Sequence, residues 1–360
     1  MADLSPQDLL RVYQIGRNAE WRYRLGQYSD QALGQMLATL NKAKREIMAV
    51  FEARYATIPE WTADRLEAVL FELDDLTVAV RRRLGQDIGD AAGWAGSHAA
   101  DWHMATLTVE GAASASLFNN VALSPEQVQA FFVDTPLGGR LIDEWVGRAF
   151  SSSVQEAIRA EMNAGVLLGE GYPGIVRRLT QGLDVFSRRE AVTLARTYVQ
   201  AANVEAQRQV FEANRDVVKG WIWQATIDNR TCLLCAALDG REYGWDEPHP
   251  PMPRHPRCRC LRRPKTITWR EMGIDLDELE QAARPYTVRD PGSIDEGGKR
   301  TIREVGFHKG DFASWWEKQP ESIQEQIVGP GRLEMIRQGK AGFRELVDGK
   351  TGRLRLIEEL

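Results

Sequence analysis

The sequence predicts a mainly α protein: an elongated helical N-terminal region, then a small α+β domain with a cysteine-rich, zinc-like loop, then a C-terminal helical arm. Three observations carry this. Apolar residues recur at helical spacing through most of the first 215 residues. From Val217 to Thr226 the pattern changes to a Trp-rich strand. All four cysteines, Cys232, Cys235, Cys258 and Cys260, fall within one short window. The expected organisation is a helical region at 1–118, a module holding the cysteines at 119–284, and an extended linker with a helical tail at 285–360.

Ser5-Pro6 supplies an N-cap and then proline at the first helical position. Leu33, Met36, Leu37, Leu40, Ile47, Phe51 and Tyr55 mark one long amphipathic helix. Thr57 and Glu60 form a capping box, with Pro59 supporting a new start. The next stripe runs through Leu66, Val69, Leu70, Leu73, Leu76 and Val80. Gly93 to Asn120 lacks clear periodicity, and Gly111 to Ser116 reads as a junction. Ser124-Pro125 with Gln127 starts another helix by the same capping logic, Pro136 to Gly139 marks a turn, and Arg140 to Leu168 resumes helix. A break at Gly169–Gly174 precedes a short helix from Ile175, and a longer one follows at Arg188–Asn214. After the cysteines, Asp275–Ala283 reads as a short helix. Pro285–Gly310, rich in charge, Gly and Pro, reads as an extended arm or linker. Phe312–Gly339 returns to helix, and Phe343–Leu360 is mixed.

Composition excludes several classes. Hydrophobic residues make up 43% and charged residues 27%, which suits a packed core. The net charge of −5 excludes a uniformly basic nucleic-acid coat, though not a local basic patch. No apolar run reaches membrane-spanning length, and the N-terminus lacks the basic-then-apolar order of a secretory signal. Gly169-Glu-Gly171-Tyr-Pro-Gly174 formally matches GxGxxG, but helix precedes it and Pro173 sits inside it, so it is set aside as a dinucleotide site. His98 and His103 read as structural residues.

Cys232-Leu-Leu-Cys235 places two sulfurs on one side of a turn, as zinc requires. In His255-Pro-Arg-Cys258-Arg-Cys260 the CxC bite is less comfortable, and His255 with Cys258 has the easier spacing. The ligand set is either the four cysteines or a set in which His255 replaces one of the last two. Paired disulfides and four reduced buried thiols are the alternatives. A reducing cytosol, expected from the lack of a secretory signal, favours structural zinc over disulfides. A catalytic zinc would need an open position and a partnered base.

The stretch Trp223-Gln-Ala-Thr-Ile-Asp228-Asn-Arg-Thr231-Cys232-Leu-Leu-Cys235-Ala-Ala-Leu-Asp239-Gly240 resembles the head-morphogenesis family of tailed phages that includes Mu protein F. The resemblance continues in Pro250, Pro251 and Pro253, followed by His255-Pro256-Arg257-Cys258-Arg259-Cys260. Upstream, Ala195-Arg196-Thr197 and Ala201-Ala-Asn203 look like the family's helix before the strand, and Tyr198 departs from it where an acid is usual. The likeness covers about Gly169 to Cys260; the tail from Phe312-Ala-Ser-Trp315-Trp316 to Gln326-Ile-Val-Gly329 and Arg332 also looks like family C-terminal segments.

The resemblance implies a minor head protein module at 119–284 and a structural virion protein rather than an enzyme. Its partners would be the portal or inner capsid shell, with packaged double-stranded DNA as a further one and no membrane. Its roles would extend to DNA packaging or ejection. The alternative is a phage-encoded transferase or nuclease carrying a head-targeting module. Asp228 and Thr231 would shape a turn, Asp239-Gly240 a second one, and Arg196, if buried beside these carboxylates, would pin helix to loop. Arg254, Arg257, Arg259, Arg262, Arg263 and Lys265 form a dense basic stretch, expected as a DNA or portal contact for the group.

Overall fold

The computed structural model describes residues 6–55, 63–110, 118–134, 141–147, 153–168, 170, 172–272, 283–294 and 300–359. The chain divides into two compact units. One is assembled from 24–98 and 123–203, the other from 1–23, 99–122 and 204–360. The expected capping box at Thr57, the junction at Gly111–Ser116, the turn at Pro136–Gly139 and nearly all of the helix at Asp275–Ala283 lie outside the described residues.

The first unit is helical. It takes stretches of α1 (Pro6–Tyr55), α2 (Ala63–Glu110) and α6 (Tyr172–Glu212), together with α3 (Pro125–Asp134), α4 (Ile142–Val146) and α5 (Ser153–Leu167). In α1 the buried positions are Leu25, Tyr28, Ala32, Met36, Leu40, Ala43 and Ile47, a stripe at three- and four-residue steps. In α2 they continue through Val80, Leu84, Ile88, Ala92 and Ala95. The start of α3 is the expected capping box: the Ser124 amide donates to Gln127 Oε1 at 2.8 Å, and the Gln127 amide to Ser124 Oγ at 3.3 Å.

Two expectations are corrected here. The stretch from Gly93, read as lacking periodicity, is helical to Glu110. Its stripe is made of small residues because α3 comes close: a Cβ at Gly93 would lie 2.6 Å from the Pro125 carbonyl oxygen, and one at Gly96 2.6 Å from Val128 Cγ1. Small residues permit close approach and leave no large apolar signal. The short helix from Ile175 and the longer one from Arg188 are one continuous α6. Pro173 falls in its first turn, where proline is tolerated, and the lone Gly182 is not enough to break it.

The second unit contains two small sheets. β1 (Val218–Gln224) lies between β3 (Glu242–Gly244) and β4 (Leu261–Thr266), all antiparallel, so the predicted strand is present. β2 (Ile227–Asp228) runs parallel to β5 (Arg284–Ile294), which pairs antiparallel with β6 (Arg300–His308). The segment expected as an extended arm or linker is therefore a β-hairpin; it contains the β-formers Tyr286, Thr287, Val288, Thr301, Ile302 and Val305, and a long-range partner, β2, holds it.

Between β2 and β3 lies the short α7 (Leu233–Leu238), and after β6 come α8 (Phe312–Trp316), α9 (Glu321–Val328) and α10 (Pro330–Arg337). The expected helix at Phe312–Gly339 is thus in three pieces, interrupted at Pro320 and at Gly329, where φ is +82°. These pieces are not a free arm. Phe312, Trp315, Trp316, Ile323, Ile327 and Leu333 join Trp221, Trp223, Tyr243, Cys235, Cys258 and Cys260 in one buried cluster. The tail thereby covers the cysteine region from one side. His98 and His103 are structural: His98 Nδ1 sits 2.9 Å from the Trp94 carbonyl, and His103 is buried against Trp21 and Phe211.

Candidate metal centre

Cys232 is the N-cap of α7 and Cys235 lies one turn on, so local helix geometry sets both sulfurs on one side. Cys258 and Cys260 sit in extended chain entering β4, and their two-residue spacing points both inward. A turn delivers them: the Cys258 amide donates to the His255 carbonyl at 3.1 Å, and Arg257 takes the left-handed φ of +60°. None of the four is disulfide-bonded.

The five donors converge in two groups that share Cys235: Cys232, Cys235 and His255, and Cys235, Cys258 and Cys260. Within each group the ligand atoms lie within 4.8 Å of one another. His255 Nε2 is 3.1 Å from Cys232 Sγ and 3.3 Å from Cys235 Sγ, and the Cys235 and Cys258 sulfurs are 3.9 Å apart. A tetrahedral zinc with sulfur ligands at about 2.3 Å has an S–S edge of about 3.8 Å, so this spacing suits an ion. His255 is also prepared for it. Its Nδ1 lies 2.8 Å from the Pro256 carbonyl, which takes the Nδ1 proton and leaves Nε2 toward the sulfurs. Its contact with Cys232 raises the imidazole to about 9, so a metal at Nε2 would have to displace that proton. The bond with Cys235 and that with His255 pull the Cys232 thiol down to about 4 against burial. Thiolate character of this kind is what a metal needs.

Two carboxylates frame the centre, both almost wholly buried. Asp228 accepts from the Arg230 amide at 3.1 Å and from both terminal nitrogens of Arg259, at 2.5 and 2.8 Å. Thr231 Oγ1 lies 2.9 Å from Asp228 Oδ1 and donates to the Thr226 carbonyl at 2.6 Å. Burial would raise the Asp228 carboxyl, but the hydrogen bond and charge of Arg259 outweigh it and hold the group below the usual range. Asp239 accepts from the Ala225 amide (2.6 Å), the Phe312 amide (2.6 Å) and both terminal nitrogens of Arg284. It ties together the end of β1, the turn after α7, the hairpin and α8. Gly240 takes φ +78°, and its amide donates to the Trp223 carbonyl at 2.8 Å.

Arg196 is corrected: it is exposed on α6, and the guanidinium roles expected of it belong to Arg259 and Arg284. Arg284 was missed because it sits between the expected short helix Asp275–Ala283 and the segment read as linker from Pro285. The only sequence hint was an Arg directly before Pro285 at a strand start. The basic stretch does not form one face. Arg262 is buried, its Nη1 donating to the Val204 carbonyl at 3.1 Å and its guanidinium over the Trp221 ring; desolvation lowers it to about 10. This removes Arg262 from any phosphate contact. Arg259 is committed to Asp228, Arg254 donates to the Gly352 carbonyl at 3.2 Å, and the exposed Lys265 pairs with Glu242. Arg257 is exposed and Arg263 half-buried.

A helix leading into a Trp-rich strand, an Asp-x-x-Thr turn, an Asp-Gly turn and a converged Cys/His cluster make up the unit on which the sequence resemblance rests. Residues 156–262 match the protein family described as Phage Mu protein F like protein, which supports assignment to a phage head-morphogenesis family. The match begins upstream of the segment read from the motifs and ends within β4. No curated protein and no solved structure matches the chain.

Proposed function

We propose that this chain is a structural minor head protein of a tailed phage and not an enzyme. It acts in head morphogenesis at the portal or the inner capsid shell, resides in the virion, and contributes to DNA packaging or ejection. The observation that carries this reading is the family match at 156–262, which covers the whole strand–turn–cysteine unit up to β4. The site's chemistry is in keeping with it: Asp228, Thr231 and Asp239 are buried and bonded to neighbouring backbone and arginines, the work of a scaffold. Among the described residues no helix is long and apolar enough to cross a membrane.

One zinc ion completes the proposal. Cys235 would be a ligand in any set, with Cys232, His255, Cys258 and Cys260 competing for the remaining positions. Bound there, zinc supplies a cross-link between α7 and the chain entering β4. That link offsets the ordering entropy of the segment 242–255, which is irregular after β3 and whose sizeable apolar groups are Tyr243, Trp245 and Met252. Mass spectrometry of intact particles tests the location: the chain is expected at low copy number beside the portal. Its absence from particles, or catalytic turnover by the purified chain, would overturn the reading.

A further inference from the structure

The β5–β6 hairpin presents an apolar face that the described chain leaves open. Directly opposed pairs are Pro285–Phe307, Thr287–Val305 and Arg289–Ile302, with a register shift between Val288 and Arg289. Opposed residues of an antiparallel pair share a face, and so do alternate residues along β5. The shift is a β-bulge with Arg303 as the extra residue. It therefore brings Ile302 onto the face of Val305 and Phe307. These three side chains are 52, 67 and 65% exposed. The other face is spent inward: Val288 and His308 are buried, and the Tyr286 ring packs toward Trp315. β6 also ends its sheet, in the order β2-β5-β6, so among the described strands it pairs with β5 alone.

We propose that this edge and face bind an extended segment of a partner protein in which acidic residues alternate with apolar ones, added as a further strand beside β6. An open strand edge with exposed Val, Ile and Phe is a template for strand addition: backbone groups give affinity and alternate side chains give specificity. The charge of the partner follows from the rim. Arg289 stands opposite Ile302, Arg303 is exposed at the bulge, and Lys309 is exposed just past the strand. Of the acids on the described strands, Glu304 accepts from the Tyr286 hydroxyl, and Asp290 accepts from the Gly292 amide at 2.9 Å.

A nucleic-acid backbone has nothing to cover Val305 and Phe307. A second copy fits less well too: Glu304 is the one acid in β6, and it accepts from the Tyr286 hydroxyl.

The test uses the full-length protein and two fluorescein-labelled peptides, Glu-Val-Glu-Val-Glu-Val and Lys-Val-Lys-Val-Lys-Val, read by fluorescence polarisation. It does not depend on whether the chain resides in a particle. The acidic peptide is expected to bind at least about tenfold more tightly than the lysine peptide. It should protect the amides of residues 300–308 from hydrogen exchange. Val305→Glu, Phe307→Glu and Arg303→Glu, all at exposed positions, should each weaken it about tenfold or more with an unchanged melting temperature. Absence of acidic-peptide binding, or binding indifferent to Phe307→Glu, would overturn the proposal. So would conversion of a dimer to monomer by Phe307→Glu, or displacement of the peptide by a short DNA duplex.

Discussion

The carboxylate of Asp239 and the guanidinium of Arg284 form a two-point ion pair, with Arg284 Nη1 3.0 Å from Oδ1 and Nη2 2.5 Å from Oδ2. It joins the turn after α7 to the first residue of β5. The Asp239 side chain is 0% exposed and that of Arg284 11%, so neither charge can fall back on water if the other is removed.

Asp239→Ala is expected to destabilise the protein by about 3–5 kcal/mol, because it strands a buried guanidinium and frees two backbone amides as well. Arg284→Ala should cost less, since the Ala225 and Phe312 amides still serve the carboxylate. Urea denaturation of both single variants and the double variant gives the coupling. A coupling below about 0.5 kcal/mol would mean the pair is not a unit.

Asp228 sets an acid limit. Its folded pKa lies below the ordinary carboxylate value. Its contribution to stability is therefore complete above the unfolded value of about 3.9 and is lost as pH falls through the lower folded value. Unfolding free energy measured from pH 5 downward should drop with a slope that Asp228→Asn flattens. An identical slope in the variant would place the acid sensitivity elsewhere.

Metal removal should be destabilising. Purified protein is expected to carry one zinc by elemental mass spectrometry, and a strong chelator should lower its melting temperature. Cys235 belongs to both donor groups, so Cys235→Ser should abolish binding, whereas His255→Ala and Cys260→Ser should differ from each other in residual affinity. Metal-free protein with an unchanged melting curve after chelation would refute the zinc assignment.

Gly96 tests the helical unit by itself. Alanine gains helix propensity of up to about 1 kcal/mol over glycine. Its Cβ, however, would lie 2.6 and 2.9 Å from the two Val128 methyl carbons and 3.3 Å from Val128 Cβ. The clash should win, leaving a net loss of about 1–2 kcal/mol. Val128→Ala in the same chain should recover most of it. A stabilised Gly96→Ala single variant would show that α3 moves aside freely.

Local chemistry made several features legible without a fold. The Ser124–Gln127 capping box, the β1 strand and the shared destination of the cysteines each depend on residues near one another in the chain, or on a residue type with few uses. The resemblance located the same cysteine unit that the family match covers.

What the chain order could not reveal was partnership. Arg196 and Arg284 are equally good candidates for a buried carboxylate when read along the sequence. Only packing leaves the first in solvent and sets the second, 45 residues beyond Asp239, at the turn. Likewise Arg262 and Arg263 look alike in a basic run, until the pleat of β4 buries one against Trp221 and leaves its neighbour half-exposed. Composition, spacing and caps are local and survive in the sequence. The choice of which charge is desolvated and by which partner is made by long-range strand pairing and core packing, whose energies no single segment contains.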